Sequence, residues 1–99
     1  MGDALRFHPS VVDDLGVAID HYDGISQRLG DRFRETVNAG FDAITAQPEI
    51  YPVAFNDVRF MRLTKFPYLI LFQRIKQVVK ILGIFHGASD PQKWRERVR

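Results

Sequence analysis

The chain has 99 residues, 45% hydrophobic and 26% charged, which suits one domain with one core and excludes a disordered or fibrous chain. It has no cysteine, so disulfides, thiolate catalysis and Cys-based zinc sites are excluded. The formal net charge of +2 hides an asymmetry: residues 1–56 carry nine acids and four bases, and residues 57–99 three acids and ten bases. A basic surface facing an acidic partner, nucleic acid or protein, is the expectation this raises; the alternative is two halves that neutralise each other within one small domain.

In chain order, Ala4 to Phe7 reads as a short strand stopped by Pro9. Ser10 then looks like a helix N-cap, with Asp13 in the capping-box position and Asp14 also near the positive helix end. Val11, Val12, Leu15, Ala18, Ile19 and Tyr22 recur at spacings of three and four, one apolar stripe on a helix of about three turns. Asp23-Gly24 is expected to end it, with Gly24 as the left-handed C-terminal residue. Ser26 is a second N-cap, and Leu29, Phe33, Val37, Phe41 and Ile44 form the buried face of a longer helix closed by Pro48. Two helices joined so closely should pack as an antiparallel hairpin.

After a proline-punctuated loop from Pro48 to Phe55, Val58 to Leu63, Phe66 to Ile75 and Val78 to His86 read as three strands, the last two joined by a turn at Lys76-Gln77. Residues 68–72 and 78–85 are apolar on both parities, so these strands should be buried on both faces. The helix hairpin can cover one face. The other needs the C-terminal tail with Trp94, a second copy in a homodimer, or a partner protein, because a wet face of that kind would be an aggregation-prone patch. The fold class is therefore α+β: an N-terminal strand, a two-helix antiparallel hairpin, and a mainly antiparallel sheet with a three-strand C-terminal meander, over residues 1–99 as one domain.

Function is less directly written. His8, His21 and His86 have no metal-ligand spacing, and Asp13, Asp14, Asp20 and Asp23 read as a solvated helix face. There is no phosphate-binding glycine loop and no nucleophile elbow, and no cofactor or metal is expected. No run of about 18 apolar residues occurs, and the stretch from Met1 to Arg6 lacks a signal peptide's apolar core or a myristoylation motif, so a cytoplasmic protein with no membrane attachment is expected. In the basic half, Arg59 and Arg62 lie three apart on one strand, which places them on opposite faces. Arginine suits a charged phosphorane because its planar fork matches phosphate oxygens, and His86 suits proton transfer. A second acid or base is missing unless Lys65 serves. His86 also fits a simple strand-closing role.

Five pieces of sequence, in order, resemble the RelE/ParE superfamily of type II toxin–antitoxin toxins: Ala18-Ile19-Asp20-His21-Tyr22; Leu29-Gly30-Asp31-Arg32-Phe33; Ile44, Pro48 and Tyr51-Pro52; Arg59 with Phe66-Pro67-Tyr68-Leu69-Ile70-Leu71-Phe72; and Ile84-Phe85-His86 with Asp90-Pro91 and Trp94. The Phe-Pro-Tyr and Asp-Pro-x-x-Trp wording is closer to the ParE-like plasmid-stabilisation branch. The resemblance implies a toxin silenced by a cognate antitoxin. ParE-like members inhibit DNA gyrase by binding, and RelE-like members cleave messenger RNA on the ribosome. For the first activity Lys65, Trp94, Arg95 and Arg97 are the expected target-binding residues; for the second, Arg59, Arg62 and His86 are the catalytic ones. Gly87-Ala88-Ser89 lacks the basic residue that many relatives carry there, which leaves room for a non-toxic remnant that still binds antitoxin.

Overall fold

The computed structural model describes residues 3–98; Met1 and Gly2 of the N-terminal segment, and Arg99 of the basic half, lie outside the described residues. The elements are β1 (Ala4–Phe7), α1 (Val11–Ile25), α2 (Gln27–Ala46), a 3-10 turn (Pro48–Ile50), β2 (Val53–Phe55), β3 (Val58–Arg62), β4 (Tyr68–Ile75), β5 (Val78–His86) and α3 (Pro91–Arg97). The five strands make one sheet in the order β1-β5-β4-β3-β2. β1 runs parallel to β5, and the other three pairings are antiparallel. The α+β architecture expected from sequence is the one observed, with the meander extended by β2. That strand lay hidden in the proline-punctuated loop because it is only three residues long and bulged.

Two helix boundaries differ from expectation. Ser10 makes no side-chain cap; its own N–H donates to His8 Nδ1 at 3.0 Å, so the histidine supplies the acceptor at the start of α1. Gly24 is not left-handed, since no described glycine has positive φ. Instead α1 continues to Ile25, and Ser26, in extended conformation, serves both helices. Its N–H donates to Tyr22 O, and its Oγ accepts from Leu29 N–H at 3.1 Å. One serine therefore makes the whole connection. Tyr68 rather than Phe66 opens β4, because Pro67 lacks an N–H and Lys65 turns the chain at φ 70°.

Both faces of the sheet are buried. On the helix side, Tyr22, Phe33, Phe66 and Tyr68 form an aromatic cluster with ring centroids 4.9–5.4 Å apart in their closest pairings. Phe33, Ile44, Ile70 and Phe72 are fully buried there. On the opposite side, Val58, Leu69, Leu71, Leu82 and Phe85 form a second core, with Phe55, Phe60 and Trp94 packed against it. Of the three possible covers, the chain's own tail is the one used: α3 lies over this face, capped by Asp90 Oδ1 accepting from Gln92 N–H and opened by Pro91. That face is thus covered by the chain itself, and its burial alone calls for neither a second copy nor a partner protein. Among the described residues no helix is long and apolar enough to cross a membrane.

The packing and the burial of His8 each predict a stability effect. Phe33→Ala should cost about 3–5 kcal/mol, whereas Val17→Ala, at a side chain 73% exposed, should stay within about 0.5 kcal/mol; thermal unfolding separates the two. His8 is held below its ordinary value of 6.5, first by burial and then by the Arg97 and Lys80 charges. Because the unfolded chain takes up that proton first, stability should be full above pH 6.5 and decline as pH falls below it. Denaturant unfolding at stepped pH should show this decline, and His8→Asn should flatten it.

Candidate functional site

The sequence-derived residues fall into three places. Arg59 pairs across strands with Phe72 of the helix-side core, and Arg62 with Leu69 of the second core, so the two arginines do stand on opposite faces. Arg59 is engaged internally: its Nη1 donates to Tyr51 O at 2.6 Å and Glu49 O at 3.3 Å, pinning the 3-10 turn to β3. Arg62 is exposed. Its guanidinium sits 5.5 Å from the Phe60 ring centroid, beside Gly87, where an added Cβ would be 3.6 Å from Nη1.

His86 ends β5 opposite Tyr68, with ring centroids 5.3 Å apart. Its Nδ1 accepts from Ala88 N–H at 3.0 Å, so the neutral ring carries its proton on Nε2 and presents it outward. Ser89 Oγ donates to His86 O at 2.7 Å and accepts from Trp94 Nε1–H at 3.2 Å, which ties this turn to α3. His86 shares a sheet face with Arg59, but the arginine's cross-strand partner, Phe72, is four residues along β4 from Tyr68. That is a displacement of about 13 Å along the strand direction. The three residues singled out for RNA chemistry do not converge.

What does gather is a corner where β3 ends, β4 begins and β5 ends, next to α3. It holds Arg62, Lys65, Tyr68, His86 and Lys93. An open cleft of about 400 Å³ there is lined by Asp13, Val17, Tyr68, His86, Ser89 and Lys93 among others. Sequence reasoning passed over Tyr68 and Lys93: Tyr68 reads as core, and Lys93 faces the cleft only because Asp90 and Pro91 start α3 where they do. Of the tail residues, Arg95 is exposed and stacks over the Phe55 ring at 4.5 Å, and Trp94 is half-buried against Phe85. Arg97 is not a surface cation. It forms a forked pair with Asp14 at 2.6 and 3.2 Å, donates to Leu82 O at 2.9 Å, and its side chain is only 16% exposed. Its Nη1 and Nη2 are thus engaged within the protein, where they hold α3 to α1 and β5.

The charges are layered. Between Val11 and Ala46, the helix layer, there are seven acids and three bases. Arg62, Lys65, Lys93 and Arg95 are all exposed at the corner or on α3.

Residues 5–91 match the family model described as the ParE toxin of the type II toxin–antitoxin system parDE. The chain belongs to the ParE toxin family. Among solved structures, a chain of a chromosomal ParDE TA system from P. aeruginosa is similar with a TM-score of 0.75 at 18% identity, over 85% of this chain and 95% of that one. A mutant of the E. coli toxin RelE in the free state is similar with a TM-score of 0.69 at 16% identity, over 99% of this chain and 96% of that one. At such identities the likeness is one of fold. No curated protein matches the sequence.

The arginine placements are separable by measurement. Arg59→Ala should cost about 1.5–3 kcal/mol of stability through its lost charge-assisted hydrogen bonds. Arg62→Ala, at an exposed side chain, should leave the midpoint of unfolding nearly unchanged, within about 0.5 kcal/mol.

Proposed function

We propose that this member of the ParE toxin family acts in the cytoplasm by binding a protein target, DNA gyrase, and that a cognate antitoxin silences it. The observation that carries the reading is the dispersal of the RNA-cleaving set. Arg59 is tied to backbone carbonyls four residues along the ladder from the Tyr68–His86 pair and Arg62 projects from the other face, so these two arginines do not stand together beside His86 to stabilise a phosphorane. The face of the second core instead offers features common at protein interfaces: half-buried aromatics, Phe60 and Trp94, with the exposed cations Arg62 over the Phe60 ring and Arg95 over the Phe55 ring. Lys65 and Lys93 extend the same basic surface.

A second reading, a ribosome-dependent endoribonuclease, draws on one specific observation. His86 presents Nε2–H at the rim of a cleft that also holds Tyr68 and Lys93, groups of the kind that move protons and neutralise phosphate.

Expression in bacteria without antitoxin, with growth, messenger RNA ends and plasmid supercoiling scored in the same cells, distinguishes the readings. Growth arrest with altered supercoiling and intact messages is expected. New ends within translated messages would replace the proposal with the endoribonuclease. Normal growth with folded protein would leave an antitoxin-binding remnant. His86→Ala adds a quantitative arm: a binder should lose about tenfold or less in potency, a nuclease about 10²–10⁴-fold in rate.

A further inference from the structure

β1 pairs with β5 only as far as Phe7 opposite Ile81, so Leu82 to His86 run on with an open edge. The ladder is also irregular here: Leu71 pairs with Gly83 and Phe72 with Ile81, leaving Leu82 bulged. Two side chains from distant parts of the chain satisfy this edge. Asp14 Oδ2, from the first turn of α1, accepts from Ile84 N–H at 3.0 Å, and Arg97 Nη1, from the end of α3, donates to Leu82 O at 2.9 Å. The two side chains then join in the forked pair, at 15% and 16% exposure. The Arg97 guanidinium lies 4.8 Å from the Phe85 ring centroid. Gly83 keeps the slot open, since a Cβ there would stand 2.8 Å from Arg97 Nη1 and collide with the Phe85 ring.

α3 is seven residues long, too short to hold itself together in water, so its position depends on what anchors it. We infer that Asp14 is a positioning residue: by holding the Arg97 guanidinium it seats α3 across the second core and, through α3, fixes the turn that orients His86. The line of contacts is continuous. Arg97 anchors the end of α3; Trp94, one turn earlier, donates to Ser89 Oγ; Ser89 Oγ donates to His86 O; and Ala88 N–H, in the same turn, holds His86 Nδ1. The pair is poorly solvated, so its attraction is less screened than that of a surface ion pair, and removing one partner leaves the other uncompensated. This role is independent of which target the toxin takes.

Asp14→Asn is the economical test, because the amide oxygen can still accept from Ile84 N–H while the charge is removed. Trp94, the sole tryptophan, reports the seating of α3 through acrylamide quenching. The ring-nitrogen NMR shifts of His86 report whether Nδ1 remains a bare acceptor, and amide exchange at Val79 and Ile81 reports the sheet. Asp14→Asn and Arg97→Gln should each raise the quenching constant about twofold or more and erase the fixed His86 tautomer, with the sheet amides still protected. The double variant should add nothing beyond either single one. Arg97→Lys should fall between, since an ammonium cannot form the fork. A Trp94 that stays shielded in Asp14→Asn would overturn the inference, as would a loosened Trp94 beside an unchanged His86. Should Asp14→Asn fail to fold, Arg97→Lys carries the same readouts, and a shielded Trp94 or an unchanged His86 there would overturn the inference equally.

Discussion

The constraint on which this structure turns is that its two central strands are apolar on both sides. Ile70 and Phe72 face the helices while Leu69 and Leu71 face away, and all four are fully buried. A sheet of this kind needs two covers, and a chain of 99 residues has little left to build the second once the hairpin has made the first. The second cover is a helix of seven residues plus the rim residues Phe55 and Phe60. Burying a large side chain contributes about 1.5–3 kcal/mol, so the few contacts of α3 matter out of proportion to its length. The ion pair that closes it sits at the one strand edge β1 does not reach. Topology thus creates both the need for a cover and the place to fasten it.

Much of the fold was legible because it rests on periodicity. The stripes from Val11 to Tyr22 and from Leu29 to Ile44 each name a helix and its buried face, and the double-sided apolar runs name the central strands. The failures are local and have local causes. Gly24 looked like a helix stop, but an extended Ser26 whose N–H returns to Tyr22 O needs no left-handed residue. Ser10 looked like a cap, but His8 already supplies an acceptor to the first turn. β2 is too short for alternation to show.

The site was less legible, and the reason is chain separation. Arginine type and strand spacing placed Arg59 and Arg62 correctly on opposite faces, but nothing in the local sequence says that Arg59 will meet the carbonyls of Tyr51 and Glu49. Arg97 finds Asp14 across 83 residues, and no spacing rule reaches that far. One signal was available: Gly83, an isolated glycine inside an apolar strand, marks a bulge or a close approach, and here it marks both. Tyr68 was hidden by its neighbours, since one more aromatic in an apolar run reads as core. In the structure it belongs to the aromatic cluster and also lines the cleft.

The layering of charge has a consequence for how the molecule meets anything large. With acids outnumbering bases on the helix side and Arg62, Lys65, Lys93 and Arg95 exposed at the corner and on α3, the charge is unevenly divided across the thickness of the protein, which gives it an electric dipole as well as a small net charge. In a field set up by an acidic surface such a body experiences a torque as well as a pull. It would therefore arrive already turned, with α3 and the His86 corner leading, and the number of unproductive collisions would fall. Since that torque operates over about 8 Å at physiological ionic strength, it acts in the last step of approach, where orientation rather than distance limits docking.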